Sequence, residues 1–403
     1  MEEFKVITLP GKNEENEAED PSLDDYQEEN YEPPKKRYFV IPIFIILLLV
    51  GLFVARMIHT YDSYDVEYSW ERKDSTDSQF ISFKNNVIKY SNDGIFYTKY
   101  DGNLIWNYTY DMTNPTVDIK DSYIIVYDKN GTEVDIFSDK GFVKSIGTTT
   151  PISLARVAGQ GTVALLLQED STSYIQMYDT KGNLLVSGEM HPENKGFPVA
   201  MALSSDGTKL LMSVITSKEG DLSSQLILYD FSDSGREKED NIAKSYTYVD
   251  MIIPDVEFVK NDKILAFGDS KIIIFNNNDE ATIAKEISLE EDAKSVFYND
   301  KYFGYTFESV GESGQITNRM KVYNLLGFNC FSKDLEAGYE TVDFIGDKEV
   351  LLKGKREVSI YNIFGFKKFT QNFEDNVYRV VPGSTYRRYY LIKENNTEEI
   401  ILK

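Results

Sequence analysis

The chain has 403 residues, a formal net charge of −23, and many aromatic residues, with 28 tyrosines and 24 phenylalanines. Residues 57–403 alone carry a net charge of −17, so neither nucleic acid nor an anionic lipid surface is expected as a partner of that part. Cys330 is the only cysteine, which excludes an intramolecular disulfide.

Residues 1–34 form an acidic N-terminal tail with few large apolar residues. Such a composition cannot bury enough apolar surface to offset the entropy of ordering the chain. We therefore predict a disordered tail, which the orientation of the next segment places in the cytoplasm.

An unbroken apolar run, Tyr38–Ala55, follows the tail. As a helix it is about 27 Å long, close to the roughly 30 Å thickness of a bilayer core. We predict a transmembrane signal anchor with its basic flank at residues 35–58. A cleaved signal peptide is the alternative, but the tail is long for one and no small-x-small cleavage site follows.

The charges that flank this run predict its orientation. Lys35, Lys36 and Arg37 precede it, whereas Arg56 alone follows it before acidic residues begin. The positive-inside bias keeps the N-terminus in the cytoplasm and places the C-terminal part outside, in the cell envelope.

The sequence after the anchor changes from a polar stalk to a chain of short strands. Residues 59–78 are predicted as the stalk, with one possible strand at Val66 to Trp70. Residues 79–403 contain apolar runs of four to eight residues, rich in β-branched and aromatic side chains and separated by Gly, Asn and Asp. This pattern predicts an extracytoplasmic domain that is nearly all β.

A repeat is visible in this domain: a strand ends in an aromatic residue, a short turn with Asp, Asn or Ser follows, and another strand begins. The aromatic residues recur at spacings of 37 to 51 residues; they are Tyr100, Phe137, Tyr178, Tyr229, Phe275, Tyr323 and Tyr361. A period of about 40–50 residues with several strands per unit is typical of β-propeller blades, which bury their faces against their neighbours.

The repeats predict a propeller of seven or eight blades, and we prefer eight. Seven hairpins give seven blades, and strands at Tyr378–Val381, Tyr389–Lys393 and Ile400–Leu402 remain. If a strand from Val66–Phe83 joins them, an eighth blade is closed by both chain ends. A β-sandwich is the rival architecture, but it does not explain the repeat.

The hairpin motifs resemble those of known propellers. Tyr100-Asp-Gly-Asn-Leu-Ile-Trp106 and Tyr178-Asp-Thr-Lys-Gly-Asn-Leu184 resemble quinoprotein-like hairpins, and Ser204-Ser-Asp-Gly-Thr208 resembles the turn of WD40-like and TolB-like blades. From about residue 35 onwards, the layout is similar to an uncharacterised family of single-pass, membrane-anchored, propeller-like proteins of Gram-positive bacteria. This resemblance implies fold and topology rather than an activity.

The chain offers few residues for metal or cofactor chemistry. It has two histidines, His59 and His191, far apart in sequence, so no Cys/His zinc cluster is predicted. Quinoprotein dehydrogenases of the resembled fold use an adjacent cysteine pair, which is absent here. We predict no catalytic, metal-binding or cofactor-binding residue.

Two groups of residues remain as candidates. Several carboxylates lie at or near predicted strand starts, where they can face the propeller axis: Asp118, Asp250, Asp255, Glu257 and Asp343. A basic and aromatic cluster forms a candidate binding patch: Tyr386, Arg387, Arg388, Tyr389 and Tyr390. The first group suits a glycosidase-like carboxylate pair, and the second suits stacking on sugars or binding an acidic peptide.

We therefore predict a non-enzymatic binding or scaffold module, anchored in the cell membrane, whose partner is a protein or polymer of the cell envelope. The alternative is an exported carbohydrate-active hydrolase that uses two carboxylates at the axis. No cofactor is expected in the first case.

Overall fold

The computed structural model describes residues 40–74, 77–170, 172–191, 196–218, 220–260, 262–310, 314–335 and 339–403. The described chain divides into two units, residues 40–54 and residues 55–403. The predicted tail and the topology determinants Lys35, Lys36 and Arg37 lie outside the described residues.

One α-helix, α1 (Val40–Ile58), begins the described chain. Its segment Ile41–Ile58 is long and apolar enough to cross a membrane, and a signal sequence meets the same criterion. The last turn of α1, from residue 55, belongs to the same compact unit as the β-strands.

The strands form eight four-stranded antiparallel sheets, the blades of a β-propeller. The first four blades are blade 1 with β2 (Gln79–Phe83), β3 (Asn86–Ser91), β4 (Gly94–Thr98) and β5 (Leu104–Thr109); blade 2 with β6 (Pro115–Lys120), β7 (Tyr123–Asp128), β8 (Glu133–Ser138) and β9 (Gly141–Gly147); blade 3 with β10 (Ile152–Val157), β11 (Val163–Glu169), β12 (Thr172–Tyr178) and β13 (Leu184–Met190); and blade 4 with β14 (Phe197–Leu203), β15 (Lys209–Lys218), β16 (Asp221–Asp230) and β17 (Ile242–Val249). A short 3₁₀ helix, Glu239–Asn241, precedes β17.

The second half of the ring repeats this order. Its members are blade 5 with β18 (Asp255–Val259), β19 (Lys263–Phe267), β20 (Lys271–Asn276) and β21 (Ile283–Ser288); blade 6 with β22 (Ala293–Tyr298), β23 (Tyr302–Val310), β24 (Ile316–Asn324) and β25 (Asn329–Asp334); blade 7 with β26 (Thr341–Ile345), β27 (Glu349–Lys353), β28 (Glu357–Asn362) and β29 (Lys367–Asn372); and blade 8 with β30 (Val377–Pro382), β31 (Arg388–Lys393), β32 (Asn396–Leu402) and β1 (Tyr64–Glu71).

Blade 8 closes the ring with strands from both ends of the chain. Its fourth strand is β1, which pairs antiparallel with β32, Tyr64 opposite Leu402 and Glu71 opposite Asn396. The prediction of eight blades closed in this way is confirmed. Because β1 lies within residues 59–78, the segment predicted as a stalk supplies part of the propeller, which begins before residue 79.

The first strand of each blade is the innermost one, and these strands succeed one another around the axis, as β10, β14 and β18 do. The hydrophobic core lies between the blades. For example, Ile125 and Val134 of blade 2 pack with Ala155 and Leu165 of blade 3 in one buried cluster. Each blade thus buries its faces against two neighbours.

Candidate functional site

The candidate site lies at the end of the central channel where the innermost strand of each blade turns into the second strand. We call this end the axial mouth. It contains two cavities of about 600 and 300 Å³. Residues of blades 1, 7 and 8 line the larger cavity, and residues of blades 2 to 6 line the smaller one. Every blade therefore contributes to the axial mouth.

A chain of polar contacts crosses the smaller cavity. Lys120, the last residue of β6, donates to Glu257 Oε1 over 2.8 Å and to the carbonyl oxygen of Phe258 over 2.7 Å. Tyr298, the last residue of β22, donates from its hydroxyl to Glu257 Oε2 over 3.3 Å. Blades 2, 5 and 6 are thereby connected through one carboxylate.

Two further carboxylates lie beside this chain of contacts. Asp118 Oδ2 accepts a hydrogen bond from the backbone N–H of Val157 over 2.8 Å. Burial raises the pKa of Asp118 to about 6, although the positive charge of Arg156 opposes the shift. Burial, assisted by the charge of Glu257, likewise raises the pKa of Asp255 to about 6. The lining of the smaller cavity thus includes the carboxyl groups of Asp118 and Glu257 and the cations Lys120 and Arg156.

The larger cavity has a different lining, which includes Arg379 and two stacked aromatic rings. Arg379 Nη1 lies 3.4 Å from Asp343 Oδ2, and burial raises the pKa of Asp343. The rings of Tyr100 and Tyr390 stack with their centroids 4.1 Å apart. Lys84 also lines this cavity. This mixture of flat aromatic and charged groups is typical of recognition surfaces.

The structure divides the predicted carboxylates into three places. Asp118 and Glu257 both line the smaller cavity, and Asp255 lies near enough to Glu257 for that charge to help raise its pKa. Asp343 lies in blade 7 and pairs with Arg379 of blade 8. Asp250 is exposed in the turn after β17.

The five residues of the predicted binding patch do not share one exposed surface. Tyr389 is 1% exposed, and its hydroxyl donates to Glu349 Oε2 over 2.6 Å, so its side chain is not available to a ligand. Tyr390 lines the larger cavity. Arg387 is exposed.

The other two residues of the predicted patch make contacts within the propeller unit. Arg388 pairs with Glu67 and Glu399. Tyr386 lies between two cations, with its ring centroid 3.2 Å from Lys368 Nζ and 4.7 Å from Arg56 Cζ. Both side chains are half-buried.

The two histidines and the cysteine, the residues that a Cys/His metal site would need, lie in different parts of the chain. His191 is exposed, with Nε2 3.2 Å from Glu189 Oε1, and His59 stands edge-on to Tyr61. Cys330 is half-buried in β25. Among the described residues no group of three or more His, Cys, Asp or Glu side chains is arranged to hold a metal ion.

Sequence reasoning missed the cations and the tyrosine of the axial mouth. Lys120, Arg156 and Tyr298 all lie at or next to the last residue of an innermost strand. The same alternation that pointed the carboxylates to the axis points these residues there too. Their position at the ends of innermost strands is the sequence feature that could have identified them.

Residues 57–402 match a protein family described as "Family of unknown function (DUF5711)". The chain belongs to this family. No curated protein matches the DUF5711 chain in sequence.

Several solved structures resemble it in fold. The crystal structure of BamB from Moraxella catarrhalis matches with a TM-score of 0.51 and 12% identity, covering 84% of this chain and 100% of that one. The structure of apo AztD from Citrobacter koseri matches with a TM-score of 0.51 and 10% identity, covering 74% and 87%, respectively. At these identities the likeness shows the propeller fold.

Proposed function

We propose that this protein is a membrane-anchored binding or scaffold module whose axial mouth holds a protein segment or polymer of the cell envelope. The resemblance to proteins of Gram-positive bacteria and the basic flank of α1 favour the outer side of the cell membrane as the location of the propeller. No enzymatic activity is required for this role.

One observation carries the proposal: residues from all eight blades line the two cavities of the axial mouth. A propeller holds such residues on rigid strands, so little ordering is needed when a ligand binds. Cavities of about 300–1,000 Å³ with a few placed polar groups are the common form of ligand sites. The aromatic and charged lining suits an extended segment that carries both polar and apolar groups.

The test is chemical crosslinking in intact cells, followed by purification of the full-length chain and identification of what accompanies it. Ser384 is exposed and lines the larger cavity, so Ser384→Trp narrows the axial mouth. Lys355 is exposed in the turn between β27 and β28, at the opposite end of the ring, and Lys355→Trp is the matched control. The proposal expects a stoichiometric partner that is lost only in Ser384→Trp. A partner retained equally by both variants places the binding surface elsewhere.

A carbohydrate-active hydrolase is the second candidate, favoured by the raised pKa of Asp255 beside Glu257. A carboxyl with a pKa near 6 next to a second carboxylate is a usual general acid. Against this stand the contacts that occupy both oxygens of Glu257. Release of new reducing ends from cell-envelope polysaccharide by the purified chain, abolished in Asp255→Asn, would favour the enzyme.

A further inference from the structure

Blades 6 and 7 carry two neighbouring turns with exposed apolar side chains. Each turn joins the third strand to the fourth and has the same sequence pattern, Asn324-Leu-Leu-Gly-Phe328 in blade 6 and Asn362-Ile-Phe-Gly-Phe366 in blade 7. Their exposed side chains, which we call the apolar edge, are Leu326 (63% exposed), Phe328 (61%), Phe364 (49%) and Phe366 (45%).

The turn itself does not require apolar residues. Blade 3 has the same backbone turn, in which the N–H groups of Lys181 and Asn183 both donate to Asp179 Oδ1. In blade 7 the N–H groups of Phe364 and Phe366 donate to Asn362 Oδ1 in the same way, over 3.0 and 3.1 Å. Blade 3 thus has Lys and Asn where blade 7 has two phenylalanines. The fold accepts polar residues at these positions, so the apolar ones need another explanation.

The two apolar turns lie side by side. Lys333, which follows the turn of blade 6, donates from Nζ to the carbonyl oxygen of Gly365 in the turn of blade 7 over 3.2 Å. Lys285 of blade 5 lies over the ring of Phe328, with Nζ 5.2 Å from the ring centroid. The two turns that form the apolar edge are therefore neighbours, with lysines beside them.

The apolar edge also adjoins the point where the chain enters the propeller. Asn362, which shapes the blade 7 turn, donates from Nδ2 to the carbonyl oxygen of Met57 over 2.7 Å. Met57 is in the last turn of α1, within the apolar segment Ile41–Ile58. Tyr61 then pairs with Phe369 of β29, directly after the same turn. One asparagine thus connects the apolar turn to the end of the membrane-spanning candidate.

We propose that the apolar edge inserts into the interfacial layer of the bilayer that α1 spans, so that it holds blades 6 and 7 against the membrane surface. This inference rests on the membrane anchor of the proposed function. Exposed Leu and Phe side chains partition into the boundary between headgroups and acyl chains, and adjacent lysines suit lipid phosphates. The net negative charge of the domain disfavours anionic lipid, so the contact depends on apolar burial and forms with zwitterionic lipid.

The test uses the full chain, reconstituted in phosphatidylcholine vesicles, with single cysteines introduced in a Cys330→Ala background. Phe328→Cys and Phe364→Cys place an environment-sensitive fluorophore on the apolar edge. Val310→Cys is the matched control, since Val310 is 68% exposed at the opposite end of blade 6. Leu326→Cys replaces either edge variant if its thermal unfolding shows that it does not fold.

The proposal expects blue-shifted emission at 328 and 364 and quenching by lipids that carry a nitroxide near the headgroup, with neither effect at 310. Equal access of an aqueous quencher to all three positions would overturn it. Shielding at 328 and 364 without quenching by the labelled lipids would also overturn it, because another protein surface would then cover the edge.

Flotation of the vesicles after alkaline extraction separates this proposal from the anchor on which it rests. A chain that does not float with the vesicles disproves the anchor and, with it, the lipid contact. A chain that floats while its edge positions stay accessible to water disproves the lipid contact alone.

Discussion

Among single residues, Lys368 is the most enclosed basic side chain of the described chain. It is 1% exposed and donates to Glu349 Oε1 over 2.5 Å and to the hydroxyl of Tyr389 over 2.6 Å. Burial lowers its pKa, while Glu349 opposes the shift. These contacts link Lys368 and Glu349 of blade 7 to Tyr389 of blade 8.

Removing one member of this buried pair should cost far more than removing both charges. For Lys368→Met we expect a loss of about 3–5 kcal/mol in the free energy of unfolding, because Glu349 is left buried without its cation. The double variant Lys368→Met/Glu349→Gln leaves no buried charge and should lose less. Urea titration of the full chain in detergent measures both.

Lys348→Ala is the control for the loss of a lysine from blade 7, since Lys348 is exposed in the turn before β27. Surface substitutions of this kind change the free energy of unfolding by no more than about 0.5 kcal/mol. If Lys368→Met were equally mild, the contact with Glu349 would not be important for stability.

Asp118 should make stability depend on pH. Its folded-state pKa is about 6, above the ordinary value of 3.8, so the native state binds its proton more tightly than the unfolded chain. The contribution of Asp118 to stability therefore falls as pH rises from about 4 to 6 and stays low above that range. The full effect is at most about 3 kcal/mol, at 1.36 kcal/mol per pKa unit.

Asp118→Asn keeps an oxygen that can accept from the N–H of Val157 but does not ionise. When the pH is raised from 4.5 to 7.5, the free energy of unfolding of the variant should increase relative to that of the natural chain. Unfolding measurements at both pH values give this difference. Asp250→Asn, at an exposed turn, controls for the loss of a surface carboxylate. If the free energy of unfolding changed with pH in the same way for the natural chain and Asp118→Asn, the raised pKa of Asp118 would be contradicted.

At the scale of elements, the turns between third and fourth strands depend on glycine at a left-handed position. Gly365 and Gly102 have φ values of 81° and 84°, so alanine is strained at both. A Cβ at Gly102 meets nothing within 4 Å, whereas one at Gly365 lies 2.9 Å from the ring of Phe331 in blade 6. The two sites differ in packing and share their backbone conformation.

Gly365→Ala should therefore destabilise the protein more than Gly102→Ala, by about 1–3 kcal/mol, the usual cost of overpacking. Thermal unfolding of the two variants in parallel gives the difference directly, because the backbone strain is common to both. Equal losses would mean that Phe331 moves aside without cost.

The elements also show why some features were predictable and others were not. The repeated aromatic residue and turn predicted the blades, since every blade must bury two faces. By contrast, β1 is mostly exposed as an outermost strand, so the sequence predicted a possible strand at Val66 to Trp70 but assigned it to a stalk. Its pairing with β32 joins residues at opposite ends of the chain, and only the count of blades, not the local pattern, indicated such a closure.

Some residues of the axial mouth were likewise predictable from the sequence, and others were not. Positions at or near strand starts indicated that carboxylates can face the axis; Asp118 and Glu257 do line the smaller cavity, whereas Asp250 is exposed. Their partners were missed because the contact between Lys120 and Glu257 crosses the channel between residues 137 positions apart. Tyr389 was placed in an exposed patch, but alternate side chains of β31 point inward, and the sequence does not tell which face of a strand is buried.

For the molecule as a whole, the charges around α1 predict the orientation of the chain. Lys35, Lys36 and Arg37 directly precede the apolar run Tyr38–Ala55, whereas Arg56 alone follows it before acidic residues begin. Positive charges near the ends of a membrane helix stay on the cytoplasmic side. The natural chain should therefore display its propeller outside and keep its tail inside.

Protease added to intact, wall-stripped cells tests this orientation, with one antibody against residues 1–34 and another against the propeller. We expect the propeller to be degraded and the tail to be protected. Replacing Lys35, Lys36 and Arg37 by glutamine should invert part of the population, so that a fraction of the propeller becomes protected.

Replacing Lys5 and Lys12 by glutamine is the matched control, because these residues lie more than about 20 positions from α1, beyond the range in which charge sets orientation. That variant should behave as the natural chain does. A propeller that is protected in the natural chain would reverse the assignment of sides. A mature chain without its tail would instead indicate that the apolar segment is cleaved as a signal peptide, and then neither the anchor nor the contact between the apolar edge and lipid would persist.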